Sequence, residues 1–314
     1  MSLRLKKSWI KMTKSSAADD TGEDKTQAKV NDIERSSDEG SGSVDQAIIC
    51  KAEDEVACEI TGCVVLNSKS IVVADRWNTS LKLLSTDASK PEVISCLKLE
   101  CTPFDLTLTL GDKIAVTVPE EKKIVFASIQ KEELSLCDAP GKEKKDGLYL
   151  HYKCYGINYS EQKLYVVIQK DDSEENYQLL ILNVADGSTL KSFPMQQYRG
   201  LRYLAICHDK IYMTSDSGTL RFKKRTEDIK IVEKNRFSHG IIVVDGDIIV
   251  CNKSRNSVHT VSRSKFAYFA GRRELLEIPK PLALCYCPDK KRLFVSQSRE
   301  SGGRANVLTV CQMK

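Results

Sequence analysis

Apolar and polar residues alternate along most of this chain with a period of two, the pattern of half-buried β-strands. Residues 60–84 show it most clearly, because the run ITGCVVLNSKSIVVADRWNTSLKLL holds three short apolar strands separated by turn residues. Weaker copies begin at Phe104, Cys154, Tyr203, His239 and Leu282. The repeat thus recurs roughly every 36 to 50 residues, about the length that a four-stranded sheet needs. The pattern predicts an all-β protein with almost no helix.

Counting strands in these copies predicts a six-bladed β-propeller. The first five copies each contain four strands, the last of the fifth copy being Lys265–Phe269. The sixth copy offers only three strands before the chain ends at Lys314. An open blade would leave backbone donors and acceptors unpaired at its edge, so a strand from elsewhere must complete the ring. The spare candidate is Asp45–Lys51, upstream of the first blade.

The N-terminal segment differs in composition from the remainder. Between Ser15 and Ser43 the chain is mostly Ser, Asp, Glu, Gly and Lys, with too few apolar residues to offset the entropy of folding. We therefore predict a disordered tail, basic and then acidic, over residues 1–43 and a propeller over residues 44–314. The first fourteen residues contain five basic and no acidic side chains, but their apolar runs are too short for a signal core or a stable membrane insertion.

Twelve cysteines would suggest disulfides in a secreted protein, but here most of them lie inside predicted strands, where a thiol behaves as a small apolar group. This placement favours a reducing, cytoplasmic setting. No Cys-x-x-Cys pair occurs, and Cys285 and Cys287 have no second ligand pair nearby in sequence, so we predict no metal site.

The predicted axis of the ring offers little for catalysis. The residues that begin the inner strands include one acid, whereas a calcium site of the kind found in propeller hydrolases needs several oxygen ligands; they are Gly62, Asp105, Gly156, Tyr203, Gly240 and Leu282. None of the four histidines lies beside a nucleophile motif, although His239 is close to the axis. We predict no catalytic residues, no cofactor and no enzymatic activity.

Charge and aromatic residues point instead to recognition. Subtracting the 9 basic and 13 acidic residues of positions 1–60 from the 48 and 43 of the whole chain leaves a net charge of +9 for residues 61–314. Strand alternation places the loops after second strands and before first strands on one face, called the loop face below. It collects basic and aromatic side chains, of which we predict that six bind a partner: Arg76, Trp77, Tyr155, Arg202, Tyr203 and Arg255.

Several blades carry a family resemblance. Segments such as PFDLTLTLGDKIAVTVPEEKKI, HGIIVVDGDIIVCNKSRNSVHTVS and PLALCYCPDKKRLFVSQS resemble the NHL-type propeller at the C-terminus of tripartite-motif (TRIM-like) proteins, especially those of invertebrates. The RING, B-box and coiled coil that precede the propeller in that family have no counterpart in this sequence. The resemblance implies a module that recognises protein or RNA.

Two ligand classes remain open at this point. Trp77 beside Arg76 is a pairing common at protein-binding hot spots, so a protein partner is the first expectation for a monomeric adaptor. Basic groups interleaved with aromatics also suit single-stranded RNA, the alternative, but no feature suggests DNA. A metal-dependent propeller hydrolase is the third reading.

Overall fold

The computed structural model describes residues 43–52, 55, 57–87, 92–139, 147–173, 175–234, 237–261, 273–300 and 306–313, with side chains from residue 47 onwards. Most of the predicted tail lies outside these ranges. The described residues form six antiparallel sheets, the blades of an all-β propeller, and one short 3-10 helix at Leu110–Asp112. This confirms the predicted fold class. No helix among them is long and apolar enough to cross a membrane.

Each of the first five blades is built from strands that follow one another in sequence. The first blade comprises β2 (Ile60–Asn67), β3 (Ser70–Asp75), β4 (Ser80–Ser85) and β5 (Val93–Lys98). The second comprises β6 (Leu106–Leu108), β7 (Lys113–Val118), β8 (Lys123–Gln130), β9 (Glu133–Cys137) and β10 (Leu148–Tyr149). The third comprises β11 (Lys153–Ser160), β12 (Lys163–Gln169), β13 (Tyr177–Asn183) and β14 (Thr189–Pro194). The fourth blade comprises β15 (Leu204–Cys207), β16 (Lys210–Ser215), β17 (Gly218–Lys223) and β18 (Ile229–Glu233). The fifth comprises β19 (Ser238–Val244), β20 (Asp247–Asn252), β21 (Ser257–Val261) and β22 (Arg273–Glu277).

The sixth blade combines both ends of the described chain. Its sheet has the order β1 (Ser43–Ile49), β25 (Val307–Gln312), β24 (Arg292–Gln297) and β23 (Pro281–Cys287). Strand β1 runs antiparallel to β25, with Ile48 opposite Leu308. Just beyond the ladder, the Cys50 N–H donates to the Asn306 carbonyl at 2.8 Å. The outer edge of β25 is therefore paired by a segment that precedes the first blade.

Two outer strands differ from the sequence prediction. The fourth strand of the fifth blade is Arg273–Glu277, whereas the predicted strand Lys265–Phe269 lies outside the described residues. In the second blade, β9 pairs with one part of β8 and the short β10 pairs with the other, so two segments share the outermost position. An outer strand pairs with one neighbour only, and its weak apolar alternation explains why neither β10 nor β22 was predicted.

The core lies between the blades. Along β3, Ile71 and Val73 pack against the sixth blade, whereas Val72 and Ala74 pack against the second. Both faces of the strand are covered, so it reads as a continuous apolar run rather than an alternating one.

The inner strands approach one another closely around the axis. A Cβ atom at Gly156 would lie 2.7 Å from the Tyr203 Cα, and one at Gly240 would lie 2.9 Å from the Ala283 Cα, so only glycine fits at these two positions. Side-chain hydroxyls join other neighbours: Thr117 Oγ1 donates to the Tyr155 carbonyl at 2.7 Å. These contacts hold the first residues of successive inner strands next to one another and so define the loop face.

Candidate functional site

Loops of the predicted face enclose two cavities that share a wall. The first, of about 490 Å³, is called the Trp77 cavity; it is lined by Glu59, Arg76, Trp77, Thr79, Thr102, Pro103, Phe104, Pro119, Glu120, Tyr155 and Arg202. The second, of about 760 Å³, is called the axial cavity; its lining includes Glu59, Arg76, Phe104, Arg202, Tyr203, Asp216, Phe237, His239, Lys253, Lys280 and Glu300. Four residues line both cavities, so together the cavities form one continuous groove.

Trp77 stands at the edge of this groove with 54% of its side chain exposed. It follows β3 in a turn that Asp75 fixes, since Asp75 Oδ1 accepts the backbone N–H groups of Trp77 at 3.1 Å and Asn78 at 3.3 Å. The guanidinium of Arg299, from the β24–β25 connection, lies 3.4 Å from the centre of the indole ring. A cation over the ring face fixes its orientation without covering its other side.

Arg202 lines both cavities and lies beside Tyr155, which lines the Trp77 cavity. The Arg202 guanidinium lies 5.8 Å from the centre of the Tyr155 ring, and that ring packs edge-on against Phe104 at 5.3 Å. The Tyr155 hydroxyl donates to Gln169 Oε1 at 2.8 Å, which anchors the ring to its own blade. Both side chains are half-buried, and each keeps a face towards the groove.

Tyr203 is not an exposed contact residue, contrary to the sequence prediction. Its side chain is buried, it stacks on Phe104 at 5.2 Å, and its hydroxyl donates to the Thr61 carbonyl of the first blade at 2.9 Å. Tyr203 also lines a third cavity of about 420 Å³ nearer the opposite face. The ring therefore lies between the groove and this third cavity, and it ties the fourth blade to the first.

The remaining two predicted residues, Arg76 and Arg255, lie in different places relative to the groove. Arg76 is exposed and lines both cavities of the groove. Arg255 is exposed on the β20–β21 connection but lines neither cavity; its N–H donates to Asn252 Oδ1 at 2.9 Å. The structure thus brings Arg76, Trp77, Tyr155 and Arg202 together on one surface, with Tyr203 below them and Arg255 apart.

Electrostatics in the axial cavity centre on His239. Burial, the charge of Lys253 and the charge of Arg202 lower the pKa of His239 to about 4, against the opposing charge of Glu300. The imidazole is therefore neutral at pH 7. Lys253 itself is paired with Glu300 at 2.7 Å. Sequence reasoning placed His239 near the axis but could not show that Lys253 of its own blade and Arg202 of the fourth blade both lie near it.

A cluster of buried titratable side chains lies at the first blade. One ligand atom each of Glu55, Cys58 and Asp75 falls within 4.8 Å of the others, a spacing compatible with a metal ion. The Lys82 ammonium lies among them instead, pairing with Glu55 and with Asp75 Oδ2, the latter at 2.7 Å. Burial and the charge of Asp75 raise the pKa of Cys58 to about 12, so this thiol is protonated beside the Lys82 ammonium. A search for Cys-x-x-Cys pairs could not find this cluster.

Comparison with known proteins supports the fold. No protein-family model matches the chain, and no curated protein matches it in sequence. The chain is similar in structure to the WD40 propeller domain of Doa1 (11% identity, TM-score 0.56, covering 85% of this chain and 97% of that one). It is similar also to a gluconolactonase from Xanthomonas campestris (11% identity, TM-score 0.59, 87% and 99%). A third similar structure is the PQQ-bound aldose sugar dehydrogenase from Streptomyces coelicolor (10% identity, TM-score 0.59, 87% and 100%).

These comparisons contradict the prediction that the chain is not an enzyme. The gluconolactonase and the sugar dehydrogenase are enzymes whose whole chains match this propeller. At such identities the likeness shows the fold alone, and this fold carries both recognition modules and catalysts. The small number of acids at the inner strands was therefore no ground for excluding catalysis.

Proposed function

We propose that this chain recognises a protein partner through the loop face, with the partner seated along the groove formed by the Trp77 and axial cavities. The observation that carries the proposal is Trp77, half exposed at the edge of the groove and held in place by Arg299. Tryptophan and arginine in a partly formed pocket are the residues most enriched at hot spots of protein interfaces. A rigid indole also loses little conformational freedom on binding.

The charge of the groove supports a protein over a nucleic acid. Its lining contains the basic residues Arg76, Arg202, Lys253 and Lys280, but also the acids Glu59, Glu120, Asp216 and Glu300. A nucleic-acid groove is dominated by basic groups that neutralise phosphates. Single-stranded RNA remains the second candidate because Arg202 over Tyr155 and Arg299 over Trp77 provide faces on which bases stack.

The proposal includes kinship with NHL-type propellers of tripartite-motif proteins, which the blade motifs suggest, and action as a monomeric adaptor. It also includes a reducing, cytoplasmic environment. In support of that environment, all twelve cysteines lie in the described ranges and each is a free thiol.

The test begins with the full chain as bait. Proteins captured from lysate, with and without nuclease treatment, are identified, and the purified partner is then titrated against variants. We expect Trp77→Ala to weaken binding by about 2 kcal/mol, because the indole is a central contact, with a weak dependence on salt.

Tyr149→Ala is the matched control, since Tyr149 on β10 is an aromatic of similar exposure, 51%, with a lysine 5.7 Å from its ring centre. It should leave affinity unchanged. Loss of capture after nuclease treatment, with an affinity that falls steeply as salt rises, would favour RNA. A partner that binds Trp77→Ala as tightly as the wild type would show that the groove is not the binding surface.

A further inference from the structure

The axial cavity holds two arginines that lack an acidic partner in the described part of the chain. Arg202 is half-buried and Arg76 is exposed at the rim. Neither forms an ion pair with a described acid, whereas nearby Lys253 is paired with Glu300. A protein that covers the cavity would remove water from both guanidinium groups. A desolvated charge is stable only when an opposite charge replaces the lost water.

His239 adds a second unsatisfied group to the same cavity. Its Nδ1 is buried and has no hydrogen-bond partner among the described residues. Its ring lies 6.3 Å from that of Tyr203, at the bottom of the axial cavity. Burial first, and then the charges of Lys253 and Arg202, lower the pKa of this imidazole, whereas an anion bound beside it would raise that pKa and favour the protonated form.

The net charge of the cavity lining limits the charge of an anion that could bind there. With Lys253 and Glu300 paired, the remaining lining has the cations Arg76, Arg202 and Lys280 against the acids Glu59 and Asp216. One positive charge is in excess. This favours a singly charged group over a doubly charged phosphate, which Glu59 and Asp216 would repel.

We propose that the axial cavity receives the carboxylate of an Asp or Glu side chain from the protein partner, held by Arg202 and Arg76. The proposal rests on the proposed function, because it specifies the chemistry of the group that enters the same face. A guanidinium presents paired N–H donors that match the two oxygens of a carboxylate. The rings of Phe104, Tyr203 and Phe237 line the same cavity and would contact the methylene groups of that side chain.

A library of random displayed peptides, selected on the full chain, tests the idea without knowledge of the natural partner. We expect the selected peptides to carry an acidic residue at one fixed position. For a synthetic peptide from this set, replacing that Glu by Gln should weaken binding on the order of thirty-fold. Arg202→Gln should weaken the acidic peptide by a similar factor and leave the Gln peptide nearly unaffected.

Arg76→Gln serves as a second variant, because Arg76 is exposed and its replacement should not disturb folding. The control is Arg225→Gln, an exposed arginine on the β17–β18 turn that lines neither cavity of the groove, which should bind as the wild type does. Peptides that need Trp77 but carry no fixed acidic residue would overturn the carboxylate proposal. Peptides that bind Arg202→Gln and Arg76→Gln as tightly as the wild type would do the same. Both results would leave the proposed function standing. A library that yields no peptide dependent on Trp77 would contradict the proposed function, and this inference with it.

The pH dependence gives a separate readout. Binding of a carboxylate should take up a proton at His239, so affinity for the acidic peptide should rise as pH falls from about 8 to about 5.5. The charged and titratable groups that line the cavity around this imidazole are Arg202, Lys253, Glu300, Lys280, Asp216, Glu59, Arg76 and Tyr203. His239→Gln should remove the pH dependence and leave the requirement for Arg202. A wild-type affinity that is flat over this range would show that the bound group does not contact His239.

Discussion

Asp105 is a carboxyl group buried near the axis whose two oxygens are used by backbone donors. The N–H of Leu106 donates to Oδ1 at 2.9 Å, and the N–H of Ile157 in the third blade donates to Oδ2 at 3.1 Å. Burial raises the pKa of Asp105 from 3.8 to about 7, although both hydrogen bonds oppose the rise. The folded chain therefore binds this proton more tightly than the unfolded chain does.

We predict that Asp105→Asn changes how stability depends on pH. A raised pKa stabilises the fold below the unfolded value, and this contribution disappears as pH rises through the folded value. At pH 4 the variant should be less stable by about 1–3 kcal/mol, because the amide nitrogen cannot accept the second N–H. The difference from wild type should shrink and then change sign between pH 3.8 and about 7, because a pKa that differs by one between the folded and unfolded chains corresponds to about 1.4 kcal/mol. Urea unfolding at several pH values measures this change.

Asp112→Asn is the control, since Asp112 is exposed at the end of the short 3-10 helix. Its unfolding free energy should stay within about 0.5 kcal/mol of the wild type. If the difference for Asp105→Asn stays constant from pH 4 to pH 8, Asp105 titrates alike in the folded and unfolded chains.

Single-residue roles were predictable from sequence only where the partners are local. Asp75 at the end of β3 and Asn252 at the end of β20 each accept a backbone N–H of the turn that follows, as Asp and Asn at such positions commonly do. The role of Tyr203 was not predictable, because the carbonyl that it binds belongs to Thr61, 142 positions away. Position in the repeat placed Tyr203 near the loop face but gave no information on its burial.

At the scale of elements, Lys82 and its partners Glu55 and Asp75, called the Lys82 cluster, connect the segment that joins β1 to β2 with the first blade. The ammonium of Lys82 on β4 donates to the Cys50 carbonyl at 2.9 Å and to Asp75 at the end of β3, and it pairs with Glu55. Burial alone would lower the pKa of Lys82, but the hydrogen bonds to Asp75 and Glu55 outweigh it and raise the pKa. Lys82 is therefore charged, and its contacts with Cys50, Glu55 and Asp75 hold three parts of the chain together.

We expect Lys82→Met to destabilise the fold by about 3–5 kcal/mol, because it leaves the buried Asp75 carboxylate without a counter-charge and Glu55 with only the exposed Lys98. Lys98→Met is the matched control: Lys98 on β5 lies 3.6 Å from Glu55 but is 60% exposed, so its loss should change stability by less than about 1 kcal/mol. Both are measured by the urea midpoint. Equal effects of the two substitutions would mean that the ion pairs of Lys82 contribute no more than a surface contact.

Strands that pack on both faces were the elements best predicted from sequence. The apolar runs of β7, β12, β21 and β24 stand out in the sequence, and each of these strands is mostly buried. The outer strands β10 and β22 were missed, because a strand half open to water carries a weaker apolar signal. Pairing with β8 over two residues gives β10 almost no pattern of its own.

At the scale of the whole ring, the order of the strands and their connections was enough to predict which loops share the loop face, but not the cavities that these loops enclose. Antiparallel neighbours within a blade place alternate loops on opposite sides, and the groove is indeed lined by second-to-third strand loops and by segments that enter first strands. Whether these loops enclose cavities depends on loop conformation and on contacts between blades, such as Arg299 over Trp77. Neither leaves a periodic signal in the sequence.

The sixth blade supplies the last prediction, because its edge is covered by a strand from the other end of the chain. Deleting residues 1–49 removes β1 but keeps Cys50 and Glu55, so the Lys82 cluster stays and only the ladder with β25 is lost. The exposed backbone of β25 should then pair with other molecules, giving a lower thermal midpoint and aggregation that increases with protein concentration. Deleting residues 1–42 is the control, since the described sheets begin at Ser43, and it should leave the midpoint unchanged. Light scattering during thermal unfolding compares the two; identical behaviour would mean that the ring is stable without β1.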